Sequence, residues 1–307
     1  PHLVEWENLG ERIYENTGIV QEHGKIAGTQ VEVPVTVEVK DCVEIQKMSQ
    51  IPKVQETDKN TVLFGESFFE KAQGWSEEFL LSVNDDQMLY NFRAACGLDT
   101  KGAPEMIGWD APDSNLRGHT TGHYLSGLAL CYRAGKKEEI RKKAVYMCDS
   151  LKECQEAFSR MENIQEGFLS GYDETQFDLL EKYVRYPEIW APYYTLHKIF
   201  AGLLDCWEYA EIPQALEIAD KLGDWVYNRL SRLPHHVLMK MWSLYIAGEF
   251  GGMNDVMARL YGITGKEIHL KASRMFDNDK LFFPLSQKID ALDTLHANQH
   301  IPQIIGC

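Results

Sequence analysis

An internal repeat constrains this chain more than any other feature. Leu125-Ser-Gly-Leu-Ala-Leu-Cys-Tyr132 returns 75 positions later as Phe200-Ala-Gly-Leu-Leu-Asp-Cys-Trp207, with Gly127 over Gly202 and Cys131 over Cys206. The same offset pairs Ala144 with Ala219, and a further offset of 53 pairs Ala219 with Ala272 and Leu203 with Val256. Each copy has a helical apolar period, a short polar turn and a second helical segment, which is the pattern of an antiparallel helical hairpin. One hairpin cannot bury its apolar face alone, so successive hairpins must stack. Offsets of 75 and 53 are too long and too irregular for a tetratricopeptide or HEAT array. Variable spacing suits a closed ring whose long loops gather at one end. The expected fold is therefore mainly α: an α/α toroid of helical hairpins, incomplete within this chain, over residues 61–307.

Residues 1–60 read differently. Thr29 to Val39 alternates apolar and polar residues with many β-branched side chains, a strand pattern, and Pro34 within it argues for an edge strand or a break. The helical period takes over from about residue 61, and a boundary is expected in the polar stretch Glu56-Thr-Asp-Lys-Asn60. The role of this N-terminal segment is not legible.

Composition narrows the function classes. Among 307 residues, 46 Asp and Glu outweigh 31 Lys and Arg, a net charge of −15, and no basic stripe offsets it. Nucleic acid is excluded as a partner on that ground. No apolar run approaches the ~18–20 residues of a membrane helix. The seven cysteines are scattered and odd in number, which suits reduced thiols and favours a cytoplasmic setting. The chain begins at Pro1 without an initiator Met and stops at Cys307 where a new helix has begun, so both ends read as cut and a leader remains an open question.

The unusual polar residues cluster where the first helix of each unit begins. Trp109-Asp-Ala-Pro-Asp-Ser-Asn-Leu-Arg-Gly-His-Thr-Thr-Gly-His-Tyr124 leads into the first, Trp190-Ala-Pro-Tyr-Tyr-Thr-Leu-His197 into the second, Glu249-Phe-Gly-Gly-Met-Asn-Asp255 into the third, and Leu295-His-Ala-Asn-Gln-His-Ile-Pro302 into a fourth. If the first helices line a toroid, these starts converge at one rim, where free N–H groups and positive dipole ends suit hydroxyl-rich or anionic ligands. Each feature has a plainer reading. His119 and His123, four apart, could share a metal, but no third ligand is adjacent and a capping pair explains them as well. Trp190, Tyr193 and Tyr194 could stack on a sugar or simply pack. Gly251-Gly252 could admit a ligand to the backbone or permit a tight turn. Asp110 and Asp113 could act as acid and base, yet Asp113-Ser114 is equally good capping chemistry, and Asp290 and Asp293 near His296 are open to the same two readings. The run from Lys136 to Lys143 reads as a solvated turn and helix face.

Taken in series, Gly108-Trp-Asp-Ala-Pro-Asp113, Arg117 to Tyr124, Trp190 to Lys198, Gly251-Gly-Met-Asn254 and Leu295-His-Ala-Asn298 resemble the β-L-arabinofuranosidase family of glycoside hydrolases, family 127 and its close relatives. The resemblance covers about four-fifths of the chain, from residue 63 to Cys307. It implies an (α/α)6 barrel, a retaining exo-acting mechanism with a zinc-bound cysteine nucleophile, and a glutamate acid/base. Zinc would hold the thiol deprotonated at neutral pH. The resemblance places the catalytic residues and zinc ligands beyond Cys307, so none is assigned within this chain, and Cys307 lacks the nucleophile's sequence context. By resemblance and position, the sugar subsite is expected to use His296 first, then His197 and Asn254, with His123, Asp113 and Tyr194 following. Asp255 stands where relatives commonly have Glu.

The expected function is thus the N-terminal part of a glycosidase acting on L-arabinofuranoside-containing plant glycans, inactive by itself, with zinc belonging to the full-length enzyme. Two other readings compete: a carbohydrate-binding or scaffold protein lacking the catalytic half, and another glycosidase or epimerase on the same toroid, using Asp110, Asp113 or Glu249.

Overall fold

The structure, a computed structural model, describes residues 65–293 and 295–307, together with the backbone of two strands. The chain divides into two compact units, Pro1–Thr61 and Val62–Cys307. In the first, β1 (Ile19–Lys25) pairs antiparallel with β2 (Glu32–Glu38), and Pro34 lies opposite His23. A two-stranded ribbon leaves every residue next to an open edge, which is where a residue without an N–H is tolerated. The expected boundary stretch 56–60 and Cys42 lie outside the described residues.

The second unit is helical. It opens with α1 (Phe68–Ser82), whose N-cap Ser67 accepts from the Glu70 amide, followed by the short α2 (Asp85–Met88) and α3 (Tyr90–Ala95). Three helical hairpins follow. They are α4 (His119–Gly135) with α5 (Glu138–Phe158), α7 (Pro192–Ala210) with α8 (Pro213–Leu230), and α10 (Met253–Thr264) with α11 (Glu267–Arg274). Between them lie α6 (Thr175–Glu181) and α9 (His235–Trp242), and the chain continues through α12 (Asp279–Ser286) to α13 (Ala297–Gly306).

The hairpins turn in the same way. Each first helix ends at a left-handed residue, Lys136, Glu211 or Gly265, followed by one extended residue before the partner helix starts. Such a residue ends a helix by satisfying its last carbonyls, and a connection this short forces the partner antiparallel. Pro192 and Pro213 open α7 and α8, where a missing N–H costs nothing.

Stacking places the first helices α4, α7, α10 and α13 side by side as an inner row and α5, α8 and α11 as an outer row. This is the α/α toroid architecture, and residue patterns follow from it. The outer helix α5 buries one stripe, Ile140, Ala144, Met147, Leu151, Cys154 and Phe158. The inner helix α7 has neighbours on several sides and buries most of its length. The equivalent alanines Ala144, Ala219 and Ala272 are all buried, as are Leu203 and Val256. Gly127 and Gly202 likewise share a task, each facing the preceding helix: Gly127 meets Leu80 of α1, and Gly202 meets Gly122 and Leu125 of α4.

The core is rich in aromatic edges. Phe177 meets Tyr193 and Trp225 at 5.0 and 5.1 Å, and Trp242 stacks on Phe276 at 5.1 Å. Beside this cluster Glu174 accepts from the Gln165 amide and the Trp225 indole and pairs with the buried Arg229, which also reaches Asp178 and Glu181. One carboxylate thereby fixes the long loop between α5 and α6 to α8. The six cysteines among the described residues carry free thiols. No described helix is long and apolar enough to cross a membrane.

The run from Lys136 to Lys143 is largely exposed, as expected, and three of its cations also reach neighbouring helices: Lys137 pairs with the buried Glu77 of α1, Arg141 donates to the Ala210 carbonyl at the end of α7, and Lys143 reaches the Val83 carbonyl and Asp85. Long cationic side chains span to neighbouring helix ends, and a single-helix charge pattern cannot register those partners.

Candidate active-site cleft

The starts of the inner helices converge. Trp109, Leu116 and His119 from the α4 side, Trp190, Ala191 and Tyr194 at the head of α7, Tyr245, Ile246 and Glu249 before α10, and His296 and Asn298 at the head of α13 enclose a cleft of about 250 Å³. No cysteine among the described residues lines it.

Its α4 wall is set by Asp110. This buried carboxylate accepts from the Gly118 amide at 2.7 Å and from the Thr120 hydroxyl, and its second oxygen lies 3.2 Å from His119 Nδ1. A negative group at a helix N-terminus meets both the free N–H groups and the dipole. His119 Nδ1 also donates to the Leu116 carbonyl at 3.0 Å, which leaves Nε2 with the ring's lone pair. Asp110 is therefore the organiser of the α4 start, and Asp113, with Ser114 bonded to the Trp109 carbonyl, is not its cap.

Aromatic rings form one side. Trp109 meets Trp190 at 6.2 Å and His119 at 6.4 Å, and Tyr186 backs Trp190 at 5.4 Å. Of the three aromatics weighed in the second motif, Trp190 and Tyr194 face the cleft, whereas Tyr193 points into the core against Phe177 and Trp242. Adjacent positions on a helix diverge by about 100°, so neighbouring Tyr193 and Tyr194 cannot both face one pocket.

The six expected sugar contacts divide. His296 and Tyr194 line the cleft. His197, one turn beyond Tyr194 on the same helix, lies deeper: its ring rests on Gly251 and Gly252, where a Cβ at 251 would come 2.5 Å from Nδ1. Gly251 is also in the left-handed region, so the glycine pair both turns the chain and makes room for an imidazole. His123 stands beside His119, edge to face, at 6.2 Å between ring centroids, and His119 already commits Nδ1 to the Leu116 carbonyl. The structure does not bring Asp113 or Asn254 to the cleft. Asp113 is exposed on the approach loop, and Asn254 is fully buried between α10 and α13, its amide donating to the Gln303 carbonyl. Asp290 holds the Leu292 amide in a local turn. Sequence position identified the motifs but not Tyr245, Asn298 or His119 as lining residues; only the crossing of four helix starts selects them.

Burial disfavours charge in and behind the cleft. Burial, reinforced by Lys198 and His123, lowers His197 to about 3. Burial, then Lys198 and His119, also lowers His123. Burial lowers the Lys198 ammonium, which sits 4.7 Å over the Tyr194 ring. Burial raises Glu249, opposed by His296. Imidazole rings, a tyrosine and a carboxyl group inclined to keep its proton both donate and accept hydrogen bonds. With an aromatic wall, that set fits a neutral polyol better than an anion.

The zinc–thiolate centre implied by the resemblance does not fit the residues present. Cys96, Cys148, Cys154 and Cys206 are buried in the core, Cys131 is half-buried on α4, and Cys307 follows the C-terminal end of α13, whereas the cleft is built on N-terminal ends.

Comparison with curated proteins gives no match. A solved structure of a GH127 β-L-arabinofuranosidase from Geobacillus stearothermophilus T6 is similar at 14% identity and a TM-score of 0.47, covering 74% of this chain and 34% of that one. The chain thus spans about a third of the length of that protein. Residues 61–307 match the family described as β-L-arabinofuranosidase, GH127 catalytic domain. With four-fifths of its length inside that match, the chain belongs to the GH127 β-L-arabinofuranosidase catalytic-domain family.

Proposed function

We propose that the cleft is the subsite for a terminal β-L-arabinofuranosyl residue in a retaining exo-glycosidase acting on plant glycans. The observation that carries this reading is the joining of an aromatic wall (Trp109, Trp190) to hydrogen-bonding side chains (His296, Tyr194, Glu249) in one small cleft. About 250 Å³ is below the range of drug-sized pockets and suits one monosaccharide. His296 and Tyr194 orient ring hydroxyls, and the indole faces hold the apolar face of the sugar. In this reading the zinc-held cysteine nucleophile and the glutamate acid/base come from outside these 307 residues, and this chain contributes recognition. Asn254 and His197 support the cleft from behind, and His123 flanks it.

A second reading rests on Glu249, the carboxyl group that lines the cleft and favours its proton. A carboxyl whose pKa is raised by burial is suited to act as a general acid, and the chain would then cleave a glycoside without zinc.

One experiment addresses both. The 307-residue chain is titrated with methyl β-L-arabinofuranoside by NMR, and hydrolysis of an aryl β-L-arabinofuranoside is followed with and without EDTA. Saturable binding without turnover supports the recognition reading. Turnover that survives EDTA and is lost in Glu249→Gln selects the second. Absence of both binding and turnover rejects the two together.

A further inference from the structure

In the outer row, away from every residue that lines the cleft, Asp220 and Asp224 stand one turn apart on α8 and face His269 of α11. One donor atom from each of the three lies within 4.8 Å of the others. Gly223, between the two aspartates, lets the imidazole approach this closely: a Cβ there would lie 2.9 Å from His269 Nε2.

Hydrogen bonding fixes the tautomer of the buried ring. The single proton of the Thr264 hydroxyl goes to the Leu260 carbonyl at 2.8 Å. The same oxygen, 3.0 Å from His269 Nδ1, must then accept, so Nδ1 carries the ring proton. Nε2 consequently turns its lone pair toward Asp224 Oδ1 at 3.0 Å and Asp220 Oδ1 at 3.9 Å. Electron pairs at such distances require a cation among them. A second ring proton or a bound metal ion would each supply it. Asp220 Oδ1 is sealed from solvent with no hydrogen-bond partner. Lys266 covers the outer oxygens, 2.7 Å from Asp220 Oδ2 and 3.1 Å from Asp224 Oδ2, on a side chain that remains partly exposed and can swing into water.

We propose that Asp220, Asp224 and His269 bind a divalent transition-metal ion of the zinc class, through Nε2 and one oxygen of each carboxylate, with Lys266 displaced and water completing the shell. Imidazole with carboxylates is a donor set that such ions accept, and the Thr264 hydroxyl on Nδ1 is the outer hydrogen bond that orients a ligating histidine. The site has no thiolate and joins two outer helices, so its consequence is to tie α8 to α11 rather than to act on substrate.

The test uses the 307-residue chain, stripped with EDTA and titrated with Co²⁺, followed by visible absorption, calorimetry and thermal melting. One Co²⁺ per chain is expected, with d–d bands, no sulfur-to-metal charge transfer and a raised Tm. Asp224→Asn, a partly exposed position that leaves the fold intact by circular dichroism, should abolish binding. Lys266→Gln should tighten it roughly fivefold, by removing a competing ammonium whose pairing is worth about 1 kcal/mol. Failure of the unaltered chain to bind overturns the proposal, even if Lys266→Gln binds, because Lys266 is then the resident cation. Binding with thiolate charge-transfer bands, or unchanged in Asp224→Asn, overturns it as well.

Discussion

Gly202 of α7 lies directly against Gly122 of α4: the Cβ of an alanine at 202 would fall 2.5 Å from the Gly122 carbonyl oxygen and 2.7 Å from Leu125 Cβ. A Cβ at 122 would in turn strike the Lys198 carbonyl on α7. Two inner helices therefore meet backbone to backbone, at the level where α7 presents His197 and Lys198.

Gly202→Ala is expected to destabilise the helical unit by about 1–3 kcal/mol, because backbone atoms cannot yield as a flexible side chain does. Gly122→Ala should cost at least as much and also shift the rim histidines. Chemical denaturation of each variant checks this, and a loss within error of zero would show that the helices slide apart freely.

Arg229 is buried with Glu174 at 2.9 Å, and Glu174 also holds Trp225 and the loop at Gln165. Arg229→Met removes the cation and leaves that carboxylate buried, so a loss of about 3–5 kcal/mol is expected. The double variant Arg229→Met/Glu174→Gln should recover part of it, measured by thermal or urea melts.

His197 is held near 3, below its ordinary value of 6.5. The unfolded chain therefore binds a proton that the folded chain refuses between those limits. Stability from this group is full above about pH 6.5 and falls as pH drops toward 3, by at most about 1.4 kcal/mol per pH unit. In His197→Gln the pH dependence of unfolding over pH 4–6.5 should flatten by up to one proton; an unchanged slope would place the ring in open solvent.

Glu249 is shifted the other way, so the folded state holds its proton more tightly than the unfolded chain does. Its contribution is complete below the ordinary carboxylate range and is lost as pH rises through its raised value. Glu249→Gln, neutral throughout, should be as stable as the parent in acid and more stable at pH 7. Parallel melting curves at pH 4 and 7 decide this.

For the sugar subsite, His296→Ala is expected to weaken methyl β-L-arabinofuranoside about tenfold, the value of one good hydrogen bond. Trp190→Ala should weaken it by a similar factor through the lost ring face. Asp113→Ala, exposed and outside the cleft, should leave it unchanged. Equal losses in all three would mean that the cleft is not where the sugar binds.

The hairpins were legible in the sequence because their cause is local and periodic. Apolar spacing, a short polar turn in each unit and the recurrent Gly127/Gly202 pair follow from 3.6-residue geometry and from helices that must bury one face. The motifs at the helix starts were legible for the same reason, as departures from that pattern. Which of their residues share a cleft was not. Tyr193 and Tyr194 differ by one position, yet one joins the core and the other faces the cleft. Asn254 and His296 belong to equally conspicuous motifs, yet α13 buries the first and exposes the second. Asp110 could be read as a catalytic carboxylate, and it holds the Gly118 amide and the Thr120 hydroxyl at the start of α4. Asp220, Asp224 and His269 belonged to no motif, because the contact that joins them runs between helices more than forty positions apart. Periodicity decides which face of a helix is apolar; the angle at which two helices cross, set by glycines and by side chains far along the chain, decides which polar groups meet.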